Sequence, residues 1–503
     1  MPEECVLSLS DLPQGSKRCV KVGETEILLI HHDQGLVAVQ ADCPHAGAPL
    51  VEGAVCNGRL VCPWHMATFE LPTGQLLEPP AMTSLKTYPV RIDGAQILVD
   101  SNPLPRAVKP VSTSGKTPVF LIVGAGAAGS MAVSIFGERG FAGKIIVVDP
   151  DKDEPVDRTQ LSKDALGGKI PLDQIRLDIN YDIERRYASV TKLSSANRSA
   201  HLSDGSIIQF DRALIATGGV PKRLEIPGAE LAYTIRHSVD VQNILKAAAA
   251  VRDVVIVGTS FIALEAASAL MQMGLHVTVT GVETAPFAKI LGEEAAGALM
   301  ALHERHGTRS RLGVEIRSIT KEGVTVYKDG NEEVLAAQLV ILGVGVEPAL
   351  AFQHDLPLAP DSDGIAVDAS MSPANNIWVA GDIANLNGTR IEHWRVAQQH
   401  GRIAALSMLG DDATFNGVPF FWTYHFGKRL SYLGASKNWD EVIVDGDLTQ
   451  MTFLFFYLRG HGSNAKVEAV LGCGQDSEMA KLAEPMRNPI TLDVARRSIN
   501  LPA

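Results

Sequence analysis

The sequence predicts a multidomain chain: an all-β domain, then a long α/β region, then an α+β domain built on an antiparallel sheet. Three observations carry this reading. Residues 1 to 100 read as short strands broken by Gly, Asn and Asp turns, with no long helical pattern. From 119 onward apolar strands alternate with helical stretches, the pattern of doubly wound parallel sheets. From about 413, "FFWTYHFGKRLSYLG", "DEVIVDG", "MTFLFFYL" and "KVEAVLG" predict four or five antiparallel strands ahead of a helical tail. With 503 residues, 46% hydrophobic and 20% charged, the chain has room for three or four globular domains.

Composition excludes several classes of partner. The net charge of −12 argues against nucleic acid or an anionic membrane surface. No run approaches the roughly 20 apolar residues of a membrane span. "MPEECVLSLS" lacks the basic region and apolar core of a secretory signal, so a reducing, cytoplasmic location is expected. Six cysteines in this length do not form a disulfide framework, and Cys5, Cys19, Cys56 and Cys473 are expected to be isolated thiols.

In the all-β region, "ADCPHAGAPLVEGAVCNGRLVCPWHMATFEL" sets Cys43 beside His45 and Cys62 beside His65, with sixteen residues between the pairs and a proline in each. Four such ligands can hold zinc, but structural zinc sites usually pair like with like, whereas here each loop offers one Cys and one His. The mixed arrangement suits a two-iron cluster in which one iron keeps both thiolates and the other both imidazoles, the ligand set of a Rieske centre. Cys and His merely placed in strand-end turns are the bland alternative. "CPWHMATFEL" resembles the second cluster loop of Rieske ferredoxins. Compared with respiratory Rieske proteins, Ala48 and Trp64 replace the cysteines that clip the two loops, and Met66 stands where a glycine is usual. That resemblance implies a potential near the low end of the Rieske range, about −150 mV. A Pro/Ser-rich linker, 104–116 in "SNPLPRAVKPVSTSGKTP", is expected to let the first domain dock flexibly, at millimolar effective concentration.

The α/β region opens on "VFLIVGAGAAGSMAVSIFGERG", with Gly124, Gly126 and Gly129 between an apolar strand and a helix. This is a dinucleotide fingerprint: the glycines permit a tight turn, approach of pyrophosphate and close helix packing, and the helix N-terminus faces the phosphates. Asp149, or failing it Asp151, ends the next strand, "KIIVVDPD", and could bond the adenosine ribose. A weaker copy in "VRDVVIVGTSFIALEAASALMQMGLHVTV" keeps Gly258, with Ser260 and Ala263 in the other small-residue places. The expected ribose acid is missing after "HVTV", Glu283 being the near candidate, and no basic residue occurs before Lys289. NADH is therefore expected over NADPH.

"ALIATGG", with Thr217 and Gly218, and "IWVAGDIA", with Asp382, follow the first fingerprint and bracket the second. These stretches resemble the two loops that complete the FAD site of flavoprotein reductases. From 117 onward the chain resembles FAD-dependent pyridine nucleotide reductases, with an ending similar to ferredoxin reductases of the putidaredoxin-reductase type. As a whole it resembles the apoptosis-inducing-factor-like proteins. The resemblance implies an all-β Rieske domain at 1–103, a discontinuous FAD domain at 117–230 and 347–412, an NAD(P)H domain at 231–346, and a C-terminal interface domain at 413–503.

"PVDRTQLSKDALGG" lacks the C-x(4)-C pair of disulfide reductases and resembles the flavin-contacting segment of ferredoxin reductases, which implies FAD contacts for Arg158 and Lys163. The same resemblance pairs Lys163 with Glu265 of "FIALE" as a catalytic unit: a cation beside a ring that turns anionic on reduction. A surface ion pair is the bland reading. It also implies that His393 and Trp394 meet the pyrimidine end of the flavin, and that Trp422 covers the flavin face opposite the entry of the electron acceptor. His31, His32, His303 and His306 read as solvated, without a role. The expected activity is hydride transfer from NADH to FAD, then single-electron transfer to the cluster and on to an unknown protein or small-molecule acceptor. Two other readings stand beside it: a reductase component of an oxygenase system, and an NADH-responsive redox-sensing interaction protein. A homodimer is compatible with either.

Overall fold

A computed structural model of the chain describes residues 4–106, 117–177, 179, 181–436 and 438–501. Three small antiparallel sheets build the N-terminal domain, joined by 3-10 turns, with no α-helix among the described residues. The loop at 62–67 is a hairpin tip: Val61 and Thr68 close its base, and Cys62 N–H donates to Ala67 O at 2.8 Å. The loop at 43–48 folds likewise, with Cys43 N–H donating to Ala48 O at 2.9 Å. Met66 holds a left-handed φ of +62° at the second tip, a conformation that favours glycine.

Two parallel sheets follow. In the first, Val119–Val123 lies between Lys144–Val148 and Arg212–Ile215, and Ile377–Val379 adds to the far edge after the intervening second unit. In the second, Asp253–Val257 lies between His276–Gly281 and Leu339–Leu342, with Arg309–Leu312 outside. Each central strand feeds a helix, Ala127–Glu138 and Phe261–Gln272. The strands are nearly continuous runs of Val, Ile and Leu because helices cover both faces of a parallel sheet. The C-terminal unit is a five-stranded antiparallel sheet backed by helices Asp476–Ala483 and Leu492–Ser498. Among the described residues no helix is long and apolar enough to cross a membrane.

The N-terminal domain is seated on the rest of the chain; of the expected flexible linker, 107–116 lie outside the described residues. Ala54, Val61 and Met66 share a buried cluster with Phe420, Leu433 and Phe456 of the C-terminal sheet. Arg395, buried on helix Trp394–Leu409, donates to Pro79 O at 2.8 Å, Met66 O at 3.1 Å and Val418 O at 3.1 Å. From the same helix face Gln399 reaches Glu78 at 2.7 Å, and Arg487 takes the other oxygen of Glu78 at 2.7 Å. A buried guanidinium is tolerated only when its donors are satisfied, so these partners fix one docking geometry.

A redox centre at the domain junction

The two loop tips bring all four predicted ligands together as two pairs. Cys43 and Cys62 are buried, with their thiols hydrogen-bonded to one another. The hydrogen bond from Cys43, helped by the backbone N–H groups of Trp64 and His65, holds the Cys62 thiol below its usual range. His45 Nδ1 and His65 Nδ1 face each other at 3.1 Å, and burial holds His65 well below the usual imidazole range, the neutral form a metal ligand needs. Among the described residues no three His, Cys, Asp or Glu side chains gather around one point. A thiolate pair beside an imidazole pair is the donor set of a cluster with one iron for each, so the residues fit the Rieske group.

One neighbour of the cluster comes from outside the N-terminal domain. Asp157 Oδ2 lies 3.6 Å from His45 Nε2. Burial works against its charge, yet the hydrogen bonds from His45 and Thr159 outweigh it and lower its pKa. Such a carboxylate fixes the tautomer and orientation of a ligating histidine. Sequence reading passed over Asp157 although it precedes Arg158, because its partner lies 112 positions away in another domain. Arg395 was also passed over. Its signal was available: Arg395, Gln398, Gln399 and Arg402 fall at i, i+3, i+4 and i+7, one polar face of the helix.

Beyond the junction lies a cleft of about 410 Å³, within the roughly 300–1,000 Å³ of a typical small-molecule site. Its walls include Gly124, Gly126, Asp149, Arg158, Lys163, Thr217, Gly218, Ser260, Glu265, Asp382, His393, Trp394 and Trp422. Gly124 sits at φ +101°, and a Cβ there would lie 2.3 Å from Ala216 O; Gly258 sits at φ +112°, with Gly343 O at 2.3 Å. Both turns are thus cradles that only glycine leaves open. Gly129 and Ala263 lie buried in the following helices. Ser260 caps its helix by accepting from Ala263 N–H at 3.2 Å, a role beyond mere smallness. Asp149 accepts from Ala125 N–H at 2.7 Å, and Glu283 accepts from Thr259 Oγ1 at 2.9 Å, so each acid stands at its own fingerprint turn.

Arg158 is pulled down to about 10 by burial and by Arg236, against the pull of Asp149 and Asp382; Arg236 pairs with Asp382 at 3.2 Å. Two guanidiniums beside a helix N-terminus suit a pyrophosphate. His393 is lowered to about 4 by burial, and its Nδ1 has no partner among the described residues. That orphaned polar atom, together with the glycine cradle, fits FAD. Lys163 Nζ lies 3.1 Å from Glu265 Oε2, with side chains 8% and 4% exposed, so the bland reading of a surface pair is set aside. Glu265 also accepts from Ser162 at 2.5 Å and Thr423 at 2.7 Å.

Trp422 stands where the two sites meet. Its ring lines the cleft and lies 4.3 Å from the His65 ring and 6.1 Å from that of His45, centroid to centroid. The expectation that it sits away from the acceptor side is corrected: it is the wall between cleft and cluster. The solvated reading holds for His306, which is exposed and stacks on Phe426 at 4.1 Å, and is corrected for the other three: His303 is fully buried, and His31 and His32 are half-buried because they end a strand of the N-terminal core.

Fold and donor set together define a nucleotide-binding flavoprotein reductase fused to a Rieske domain. Residues 119–401 match the family "Pyridine nucleotide-disulphide oxidoreductase", and residues 3–89 match "Rieske [2Fe-2S] domain". The chain is 31% identical over 516 aligned residues to apoptosis-inducing factor 3 of Mus musculus, covering 96% of this chain and 84% of that protein. It is 29% identical to the biphenyl dioxygenase system ferredoxin–NAD(+) reductase component of Paraburkholderia xenovorans (strain LB400), over 65% of this chain and 83% of that one. Among solved structures, the covalent putidaredoxin reductase–putidaredoxin complex is similar, with 25% identity, a TM-score of 0.68, and coverage of 76% of this chain and 96% of that one. The chain belongs to the pyridine nucleotide-disulphide oxidoreductases, as an apoptosis-inducing-factor-3-like member that carries a Rieske domain. It is an FAD-dependent NAD(P)H oxidoreductase of ferredoxin-reductase type.

Proposed function

We propose that the chain passes electrons from NADH, through FAD in the cleft, to its own Rieske cluster and on to a separate one-electron acceptor. FAD supplies the conversion of an electron pair into single electrons. The observation that carries the internal route is Trp422, a cleft-lining side chain against the cluster ligand His65. Gly124, Gly129, Arg158 and Asp382 hold the dinucleotide, Lys163 and Glu265 set the charge beside its reactive ring, and Cys43, Cys62, His45 and His65 hold the irons. Glu283 at the second fingerprint favours NADH, since a carboxylate repels a 2′-phosphate.

The acceptor is proposed to approach the solvent-open side of the junction, lined by His45, His65, Trp64 and Arg429. The biphenyl dioxygenase relative acts on a ferredoxin by its name; for this chain the built-in cluster takes that place. Stopped-flow mixing with NADH tests the reading. Flavin absorbance is expected to fall first, and the electron-paramagnetic signal of the reduced cluster to grow at a rate independent of protein concentration. A cluster that stays oxidised while the flavin is reduced, or that is reduced in second-order fashion, overturns it.

A further inference from the structure

Electron transfer does not account for a row of buried polar groups leading away from Glu265. Thr423 Oγ1 donates to Glu265 Oε1 at 2.7 Å, and His425 Nε2 lies 2.8 Å from the same hydroxyl. His303 Nε2 lies 3.1 Å from His425 Nδ1, and Thr308 Oγ1 lies 3.3 Å from His303 Nδ1. The row crosses from strand Phe420–His425 to helix Ala288–Arg305 and ends at Thr308, which retains slight exposure between exposed Gly307 and Arg309.

The proton positions are set by counting the side-chain donors along the row, with the Leu264 backbone carbonyl as a further acceptor facing His425. Thr423 has one hydrogen and gives it to Glu265, so it accepts from His425, whose proton is on Nε2. His425 Nδ1 is then bare and accepts from His303 Nε2–H, which leaves His303 Nδ1 bare to accept from Thr308. Four hydrogen bonds point one way, toward the carboxylate that pairs with Lys163 at the cleft. Lys163 and His306 are the other chargeable groups that act on the two imidazoles. A purely structural bridge between this helix and this strand would be built from apolar side chains, without burying two imidazoles.

We propose that Thr308, His303, His425 and Thr423 form a proton relay between solvent and Glu265. The proposal rests on the NADH-oxidising function above. NADH gives up a hydride, which is one proton and two electrons, and departure of NAD+ leaves one negative charge in the cleft. One proton entering along the row to Glu265 Oε1 cancels it. Each hop reverses the row: Thr423 then points to His425, His425 carries its proton on Nδ1, and His303 likewise. The row is thereby set to carry one proton out as the two electrons leave. The proton of the hydride also reaches solvent, so net release is one proton per NADH oxidised.

The test uses the holoenzyme with a pH-indicator dye in stopped flow, beside nitrogen-15 spectra of labelled histidine in the oxidised protein. The spectra are expected to show His303 and His425 both as Nε2–H tautomers, independent of any turnover. In Thr423→Val, proton uptake on reduction is expected to slow at least about tenfold, while Thr423→Ser restores it. Unchanged uptake in Thr423→Val, or an Nδ1–H tautomer at His425, overturns the relay. Failure of NADH to bleach the flavin of the wild type, with the tautomers as stated, overturns the proposed function instead.

Discussion

The indole of Trp422 and the imidazole of His65 lie 4.3 Å apart, centroid to centroid, at a tilt of 43°. One ring belongs to the wall of the dinucleotide cleft and the other to the cluster site, so the distance between the two redox groups is set by side-chain packing. Replacing Trp422 by Leu is expected to slow reduction of the cluster while leaving reduction of the flavin by NADH within about twofold of wild type, with a stability loss of about 1 kcal/mol from the lost ring contacts. Rapid-freeze paramagnetic spectra of the cluster, timed against flavin absorbance, decide it; equal cluster rates in both proteins show that the indole is packing alone.

Ligand removal separates the two centres. His45→Ala or His65→Ala is expected to abolish the Rieske visible and paramagnetic signals and leave one FAD per chain, because the residues that frame the cleft turns come from the parallel sheets. Metal analysis that finds zinc in the wild type, or flavin lost with the iron, counts against that separation.

Docking is expected to hinge on Arg395. Arg395→Met leaves the carbonyls of Pro79, Met66 and Val418 without their donor and Glu78, 3.9 Å away, with one cation fewer. Breaking a buried charged network typically costs about 3–5 kcal/mol. Denaturant midpoints should fall accordingly, and small-angle scattering should show a larger radius of gyration as the Rieske domain leaves its seat. An unchanged scattering profile would mean that the apolar contacts of Met66 and Phe420 hold the domain by themselves.

What the sequence disclosed follows from how local each signal is. Cys43 and His45, or Gly124 and Gly129, lie within one loop, so spacing alone exposes their chemistry. Lys163 and Glu265 are 102 positions apart and were joined only through resemblance to ferredoxin reductases. Asp157 and His45 share no local pattern, since only docking brings them to 3.6 Å. His303 misled the reading for the opposite reason. It sits among charged neighbours in "LHERHG", yet tertiary packing buries it against the equally buried His425, 3.1 Å away.

Those two imidazoles predict an acid limit to stability. Burial pulls His303 down to about 2 and His425 to about 3, whereas an unfolded histidine titrates near 6.5. The folded form stays neutral where the unfolded chain binds protons, so stability is lost as pH falls below about 6.5 and continues to fall to about 3. The slope is up to about 1.4 kcal/mol per pH unit for each histidine. Urea unfolding at pH 7, 6 and 5 should show it, and a His303→Gln, His425→Gln double variant should show a shallower slope. Identical slopes would place the acid sensitivity elsewhere.

Lys163 and Glu265 are expected to behave as a unit beside the flavin. The ammonium is buried 3.1 Å from the carboxylate and also donates to Thr159 O at 2.6 Å, so its position is fixed before any charge develops in the cleft. A preorganised cation of this kind contributes roughly 3 kcal/mol to a transition state that gains negative charge, or about a hundredfold in rate. Lys163→Ala should therefore slow flavin reduction by NADH by about that factor, with FAD retained through Arg158 and the glycine turn. Glu265→Gln leaves the ammonium without its carboxylate and turns one of the two oxygens, Oε2 facing Ser162 or Oε1 facing Thr423, from acceptor into donor, so it should shift the flavin potential as well as the rate. Because each loss removes part of the same network, the double variant should cost less than the two singles added together. Stopped-flow reduction of the three variants measures this, and strictly additive effects would show that the two side chains act independently.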